Sequence, residues 1–587
     1  MSKWDLSVFY PNDEAWEKDF NILKSEVSKF EDFKGKLGDF EFFKKYHEFD
    51  EALTKLLYKV YAYAHLGSDL NLKDTKKMQM NQQVGLILSE LSQKTAFISP
   101  EIISLGEEKV LSFVEQDEFL KPFKFPYQKL FRGQEHILDH KSEELLSNFS
   151  PIRTIPTSLY QALSTIDRVD ERVTLSDGSE VTVSQPQFRA LIEDAKTPED
   201  RKVIFEALYK RYVDNKTAFA ATYNLVLQQL SANVKNRGYE SSLDAALFNN
   251  NIPTSVFLNL KDVAYENTHT LKRYITLRKK ALGMSEYFTY DRFLPLAKSG
   301  KKYPYTEAKA LFLESIKDFP EEFVLNQKDA IKDGFVDVLP QDGKRSGAYS
   351  SGFYGHHPFI LLNHNDTLDA VFTLAHEAGH SAHTIFSDKA QPMPISDYTI
   401  FVAEIASTFN EHALLDYLLE KSTSKQEKIE LLSIAIDNIH STFYRQTLFA
   451  TYEYEANKLV QEGKPVNEKA LSQIMIDLYK HYYDLDITKE PGKQYVWAYI
   501  PHLFYTPFYV YQYATAFSAS LKIYDNVKSN EPNAFDNYIK MLKTGGSMYP
   551  VDEAKIAGAD LTKKDPFLSV VKRMESLLDQ LEILLNE

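Results

Sequence analysis

"TLAHEAGHSAH", residues 373–383, sets three histidines and a glutamate within eleven positions. Helical spacing runs on through "NDTLDAVF" before it and "TIFSD" after it, so the stretch is predicted to lie on one helix. Residues four apart on a helix share a face, which lets His376 and His380 point two imidazoles at one cation. Glu377 is turned by about 100° from His376 and can reach a water on that cation without ligating it. Asn365 or Asp366 is the expected N-cap, with Asp369 as an acid in the first turn. The competing reading is an ordinary helix with two capped or solvated histidines, and the rest of the chain has to decide between the two.

A catalytic zinc needs a third protein ligand and an open position. The chain has no cysteine, so that ligand must be a histidine or a carboxylate. His383 lies one turn past His380, but histidines at 376, 380 and 383 of one straight helix rarely converge on a tetrahedral corner. The metzincin pattern needs a histidine six residues after the second, where Phe386 stands. Glu404, in "FVAEIASTFNEHALLDYLLE", is the better candidate, 24 residues beyond His380 on a second helical stretch. A turn through "AQPMPISD" and an antiparallel return would bring it against the two histidines. Glu404, Ser407 and Glu411 fall on one face, so Ser407 or Glu411 can brace a ligand histidine from behind. Asp369, two turns before His376, can do the same, while His383 is expected to be a packing or surface histidine.

The wider composition bounds the class. A net charge of -15 argues against nucleic acid or anionic membranes as partners, because phosphate binding needs clustered Lys and Arg. Hydrophobic residues at 43% and charged residues at 26% suit a soluble globular protein. "MSKWDLSVFYPNDEAWEKDF" has acids where a signal peptide needs an apolar core, and no apolar run approaches the roughly 18 residues of a membrane span, so the cytoplasm is the expected compartment. Oligomeric state has no signal in the sequence.

The pattern is overwhelmingly helical, as in "DTKKMQMNQQVGLILSELSQKTAFI". "RVTLSDGSEVTVS" reads instead as a β-hairpin about Asp177-Gly178. Boundaries fall near residues 115 and 190, giving regions 1–115, 116–190 and 191–587. Residues 342–366, "DGKRSGAYSSGFYGHHPFILLNHND", form a glycine-rich loop and a short apolar strand that lead straight into the motif helix. "PFILLN" could pair with an extended peptide as an added strand, which would make Phe359, Ile360, Leu361 and Asn363 binding residues. Gly352, Phe353, Tyr354 and Gly355 form a segment that could close over it.

"HEAGH" followed by "FVAEIASTFNE" resembles the zinc-dependent oligopeptidases of the M3 type, most closely the oligoendopeptidase F branch. "WDLSVFYPNDEAWEKDF", "RSGAYSSGF", "IPHLFYTPFYVYQYATAFSAS" and "TGGSMYPVDEAKIAGADL" extend the resemblance over nearly the whole chain. It implies a mainly α, two-lobed body with a deep channel, the metal at its floor and a small β element beside the metal helix. Region 116–190 would then be the branch's N-terminal domain and 191–587 the catalytic domain. It also implies one Zn2+ per chain on His376, His380 and Glu404, Glu377 as catalytic base, and cleavage of internal bonds in short, unfolded oligopeptides.

The resemblance places a histidine and one or two tyrosines of "YIPHLFYTPFYVYQYATAF" against the reaction's oxyanion. His502 matches the histidine. The position five residues later, a tyrosine in better-known relatives, is Pro507, so Tyr505, Tyr509 and Tyr511 all stand as candidates, with Tyr509 ranked first. Thr506-Pro507 is expected to start a helix, leaving His502 and Tyr505 in the loop before it. Two alternatives remain open. A carboxypeptidase or dipeptidyl carboxypeptidase with the same metal set would need a cationic clamp, for which Arg345 is available; a helical peptide-binding protein would not need Glu377.

Overall fold

The computed structural model describes residues 3–587. Helix accounts for 70% of the chain and strand for 4%, as the sequence periodicity predicts. By contacts within the structure the chain falls into two compact units. Each is assembled from separated stretches. The first takes the chain up to Glu135, Lys301–Tyr417 and Ile523–Ala559; the second takes His136–Gly300, Leu418–Lys522 and Asp560–Glu587.

The expected hairpin lies in the second unit, as β1 (Glu171–Thr174) and β2 (Glu180–Val183), paired antiparallel. Gly178 supplies the positive φ, +84°, that its turn requires. The remainder of this unit is helical and includes α5 (Lys425–Ile439), α6 (Arg445–Gln461), α7 (Glu468–Tyr483) and the part of α8 (Tyr511–Lys528) up to Lys522.

The first unit carries the motif. Its helices include α1 (Phe40–Leu70), α2 (Glu321–Ala330), α3 (Leu368–Ala390) and α4 (Ile400–Lys421). Helix α3 begins one residue later than its acids suggest. Thr367 is the N-cap, its hydroxyl accepting from the Ala370 N–H, while Asp366 adopts a left-handed φ of 59° and Asn365 accepts from the Thr367 hydroxyl. The stretch from Gln391 to Ile395 closes against the unit's last segment, where the Gly546 N–H donates to the Ile395 carbonyl at 2.8 Å. A Cβ on Gly545 would lie 2.4 Å from that same carbonyl, so only glycine fits there.

Beside α3 lies a three-stranded sheet in the order β3–β5–β4, with β3 Val336–Asp337, β4 Tyr349–Phe353 and β5 His356–Leu361. Strand β5 pairs parallel to β3 and antiparallel to β4. A central strand is covered on both faces, which is why "PFILL" reads as an unbroken apolar run. Phe359 packs on Trp4, Phe9 and Phe335, and the Trp4 indole donates to the Ile360 carbonyl at 2.8 Å.

One buried cation pins this sheet. The Lys344 ammonium donates to the Asp337 carboxylate at 2.6 Å and to the carbonyls of Leu339 and Leu362 at 2.7 and 2.6 Å. Burial lowers its pKa and Asp337 opposes that shift. Removing one member of a buried pair strands the other charge. Lys344→Met is therefore expected to cost about 3–5 kcal/mol in urea unfolding. Lys344→Met combined with Asp337→Leu should recover much of that loss, and a double variant as unstable as the single one would contradict the account.

Candidate metal centre

Helices α3 and α4 touch backbone to backbone. A Cβ on Gly379 would lie 2.5 Å from the Ala406 carbonyl oxygen and 2.6 Å from Ser407 Cα, so only glycine permits the approach. Asn410 braces the same contact. Its amide donates to the Ala375 carbonyl at 2.9 Å and to Gln327 of α2 at 3.1 Å, tying three helices together with fully buried polar groups.

This crossing sets Glu404 against the two motif histidines. Nε2 of His376 and Nε2 of His380 are 3.1 Å apart, and Oε2 of Glu404 is 3.3 Å from the first and 3.5 Å from the second. A tetrahedral ion with bonds of about 2.0–2.1 Å needs ligand atoms roughly 3.3–3.4 Å apart. The two nitrogens and one carboxylate oxygen therefore fit three corners of such a site. No other group of three or more His, Asp or Glu side chains among the described residues is so arranged.

Each ligand is held from behind. Glu411 accepts from the His376 Nδ1–H at 2.6 Å, which fixes the ring with Nε2 forward. Ser407 donates to Glu404 Oε2 at 2.9 Å, so it braces the carboxylate and not a histidine. Asp369 sits exposed in the first turn of α3, and its expected position behind His376 belongs to Glu411. Burial disfavours a charged His376, but the hydrogen bond and charge of Glu411, with Glu404 and Glu377 nearby, outweigh it and raise its pKa to about 9. Burial likewise pushes Glu404 up, and the His380 hydrogen bond, both histidine charges and Ser407 bring it down to about 2. Glu377 is buried beside the set without joining it, and that burial raises its pKa. His383 faces away into the core, stacked on Tyr398 with ring centres 3.6 Å apart. Neither of its nitrogens has a partner, and burial lowers its pKa to about 3.

The peptide-binding expectations need correction. Strand β5 has β3 along one edge and β4 along the other, so its backbone cannot accept an added strand, and Phe359, Ile360 and Leu361 are fully buried. Asn363 lies beyond the strand, donating to the Arg345 and Gly347 carbonyls. Gly352 to Gly355 form no flap. Phe353 is packed on Phe9, Tyr58 and Tyr61; Tyr354 and Gly355 are the tight turn between β4 and β5; the Tyr354 hydroxyl is bonded to the Gln391 carbonyl. Strand β4 pairs on one side only among the described residues, and it lies along α3. Gly352 abuts Thr384, the Ser350 and Ser381 hydroxyls are 2.7 Å apart, and the Ser350 backbone reaches Glu377.

In the second unit the helix start also differs from expectation. His502–Tyr505 is a short helical turn, Phe508 adopts φ 56°, and α8 begins only at Tyr511. The constraint is distant in sequence: Glu453 of α6, buried with its pKa raised to about 8, accepts the Phe508 N–H at 2.7 Å. Tyr509 thus lies in the loop, its ring parallel to His502 at 5.5 Å, and Tyr513 stands edge-on to both. Tyr511 is buried against Phe257, and Tyr505 lies half-exposed on Tyr160. Sequence reasoning missed Tyr513, although four-residue spacing from Tyr509 points to it. It also missed Asn410, a lone amide in an apolar helix.

Residues 191–573 match the model for peptidase family M3, and residues 101–168 match that for oligopeptidase F. The chain is 35% identical to oligopeptidase PepF of Bacillus subtilis, covering 99% of this chain and 87% of the relative. It is also 35% identical to an oligoendopeptidase F homolog of Borreliella burgdorferi, over 99% and 98% of the two chains. The crystal structure of oligoendopeptidase-F from Enterococcus faecium superposes with a TM-score of 0.75 at 28% identity, covering 98% of this chain and 99% of that one. The chain belongs to peptidase family M3, within its oligoendopeptidase F branch, and is a metalloendopeptidase.

Gly379→Ala is the sharpest test of the helix contact. The added methyl meets backbone, which cannot rotate away, so α3 and α4 must separate. The expected result is a loss of at least about 1–3 kcal/mol in stability together with weakened metal retention. Full metal content at wild-type stability would show that the contact is not needed.

Proposed function

We propose that the protein hydrolyses internal peptide bonds of short, unfolded oligopeptides, using one zinc ion held by His376, His380 and Glu404. The observation that carries this reading is the near-tetrahedral set of three ligand atoms, 3.1–3.5 Å apart, with buried Glu377 next to it. A histidine-carboxylate set favours zinc. Zinc in that position supplies Lewis acidity, which polarises a scissile carbonyl and makes water more acidic.

The chain's own groups do the rest. A Glu377 carboxylate oxygen takes the proton of the attacking water and delivers it to the leaving amine nitrogen. Burial strengthens it as a base by raising its pKa. Substrate is assigned to the unpaired edge of β4, where backbone hydrogen bonds tolerate many side chains. His502, with Tyr509 and then Tyr513, is assigned to the oxyanion on the pattern of the family. The cytoplasm is the compartment this reading assigns, and peptides are its partners.

Arg345 gives little support to the carboxypeptidase alternative, because its guanidinium is paired with Asp69 at 3.2 Å. A peptide blocked at both ends separates the two activities. An endopeptidase cuts it internally, whereas a carboxypeptidase leaves it whole. Glu377→Gln should keep zinc and lose about 10²–10⁴-fold in kcat. Unchanged hydrolysis by that variant would sink the base assignment, and tight peptide binding without any turnover in the wild type would favour a carrier.

The oxyanion assignment has its own test. His502→Ala, Tyr509→Phe and Tyr513→Phe are assayed separately, with zinc content measured in each. A donor to the intermediate should cost on the order of 10²-fold in kcat at full zinc occupancy. Variants that all stay within about threefold of wild type would make the cluster structural, against the roughly 10²-fold cost of a true donor.

A further inference from the structure

The second unit encloses a cavity of about 90 Å³ that the peptidase reading does not use. One water needs roughly 10–15 Å³ on this measure, so the space suits several waters or one small organic molecule. Its walls are largely aromatic, with Phe188, Phe205, Tyr274, Tyr290 and Phe293 among them. Into this apolar setting project Arg292, Arg445 and Lys493, against one lining carboxylate, Asp437.

The neighbouring charges are already engaged. Arg201 pairs with Asp291 at 2.8 Å. Arg278 donates to the Tyr287 and Tyr274 hydroxyls and to the Asp291 and Leu294 carbonyls. Asp437 accepts from the Tyr274 hydroxyl at 2.9 Å. Glu490 accepts from Thr289 and is the acid whose charge acts on Lys493. His440 is bonded to the Tyr483 hydroxyl at 3.0 Å. Arg292 lies over the Phe293 ring, and Arg445 lies over Phe449 and is hydrogen-bonded to Tyr479. Neither forms an ion pair among the described residues, and each sits in the repulsive field of the other and of Lys493.

Charge held partly out of water without an ion pair is costly, and here two half-buried guanidiniums line one largely apolar pocket. The backbone is also irregular at this place. Residues His440–Tyr444 form a single π-helical turn directly before Arg445, a departure that helices tend to retain at binding and catalytic sites. A guanidinium presents paired N–H donors that match a carboxylate, and the aromatic walls suit an apolar body. We propose that this cavity binds a small organic carboxylate with an apolar body, its oxygens held by Arg292 and Arg445.

Phenylacetate is a suitable probe. Thermal unfolding of the full-length zinc enzyme is followed while phenylacetate, inorganic phosphate or chloride is added at matched ionic strength. Phenylacetate should give a saturable rise in Tm, with 1:1 stoichiometry by titration calorimetry. Arg292→Leu and Arg445→Leu should each abolish both signals while the zinc ligands stay intact, which separates this cavity from binding at the metal. Arg292→Lys keeps the charge without the paired donors and should weaken binding at least tenfold, a readout that survives if the leucine variants do not fold. The proposal is overturned if phenylacetate gives no saturable rise. It is overturned equally if the rise persists in the arginine variants, or if phosphate or chloride saturates the same arginine-dependent site and phenylacetate does not.

Discussion

The helix crossing at Gly379 governs the metal centre. Two histidines at four-residue spacing make only two corners of a site, and the third must come from another element at a fixed distance. Side chains between two helices normally hold their axes 8–10 Å apart. At Gly379 there is no side chain, and the Ala406 carbonyl occupies the space a Cβ would take. That close approach puts the short reach of Glu404 within 3.3–3.5 Å of both imidazoles. Asn410 and Gln327 then lock the crossing with hydrogen bonds that have no competing solvent.

How much of this the sequence disclosed depended on the range of the controlling interaction. His376, Glu377 and His380 were legible because helix geometry alone fixes their relation. Glu404 was legible because an acid flanked by "FVA" and "IAS" has few reasons to exist except to bind something. Strand β5 was misjudged because an apolar run looks the same in a central strand and at an edge. What decides the matter is Val336–Asp337, two residues that carry no strand signal of their own. Thr506-Pro507 failed for a similar reason: cap chemistry is local, and here it is overruled by Glu453, more than fifty residues upstream. The compact units themselves are set by contacts between stretches hundreds of residues apart, which no local pattern discloses.

The two units treat buried charge in opposite ways. In the first, Glu377, Glu404 and Glu411 crowd around two imidazoles, an excess of negative charge that suits a divalent cation. In the second, Arg292 and Arg445 line a pocket whose one carboxylate, Asp437, is also bonded to Tyr274, while Lys493 is answered by Glu490. Elsewhere the chain neutralises its interior directly, as at Lys344 with Asp337 and at Arg201 with Asp291.

The tie between Gly546 and Ile395 bears on synthesis. All three candidate ligands have been made once the ribosome passes Glu404, but the stretch that packs against the end of the motif helix belongs to the segment that starts at Ile523. More than a hundred residues belonging mostly to the other unit are translated in between, which takes on the order of 5–20 s at bacterial-like rates of elongation. Through that interval the end of the motif helix and the stretch Gln391–Ile395 lack the partner that Gly546 provides. A chain terminated between residues 404 and 523 would carry all three candidate ligands yet lack the last segment of the unit that holds them.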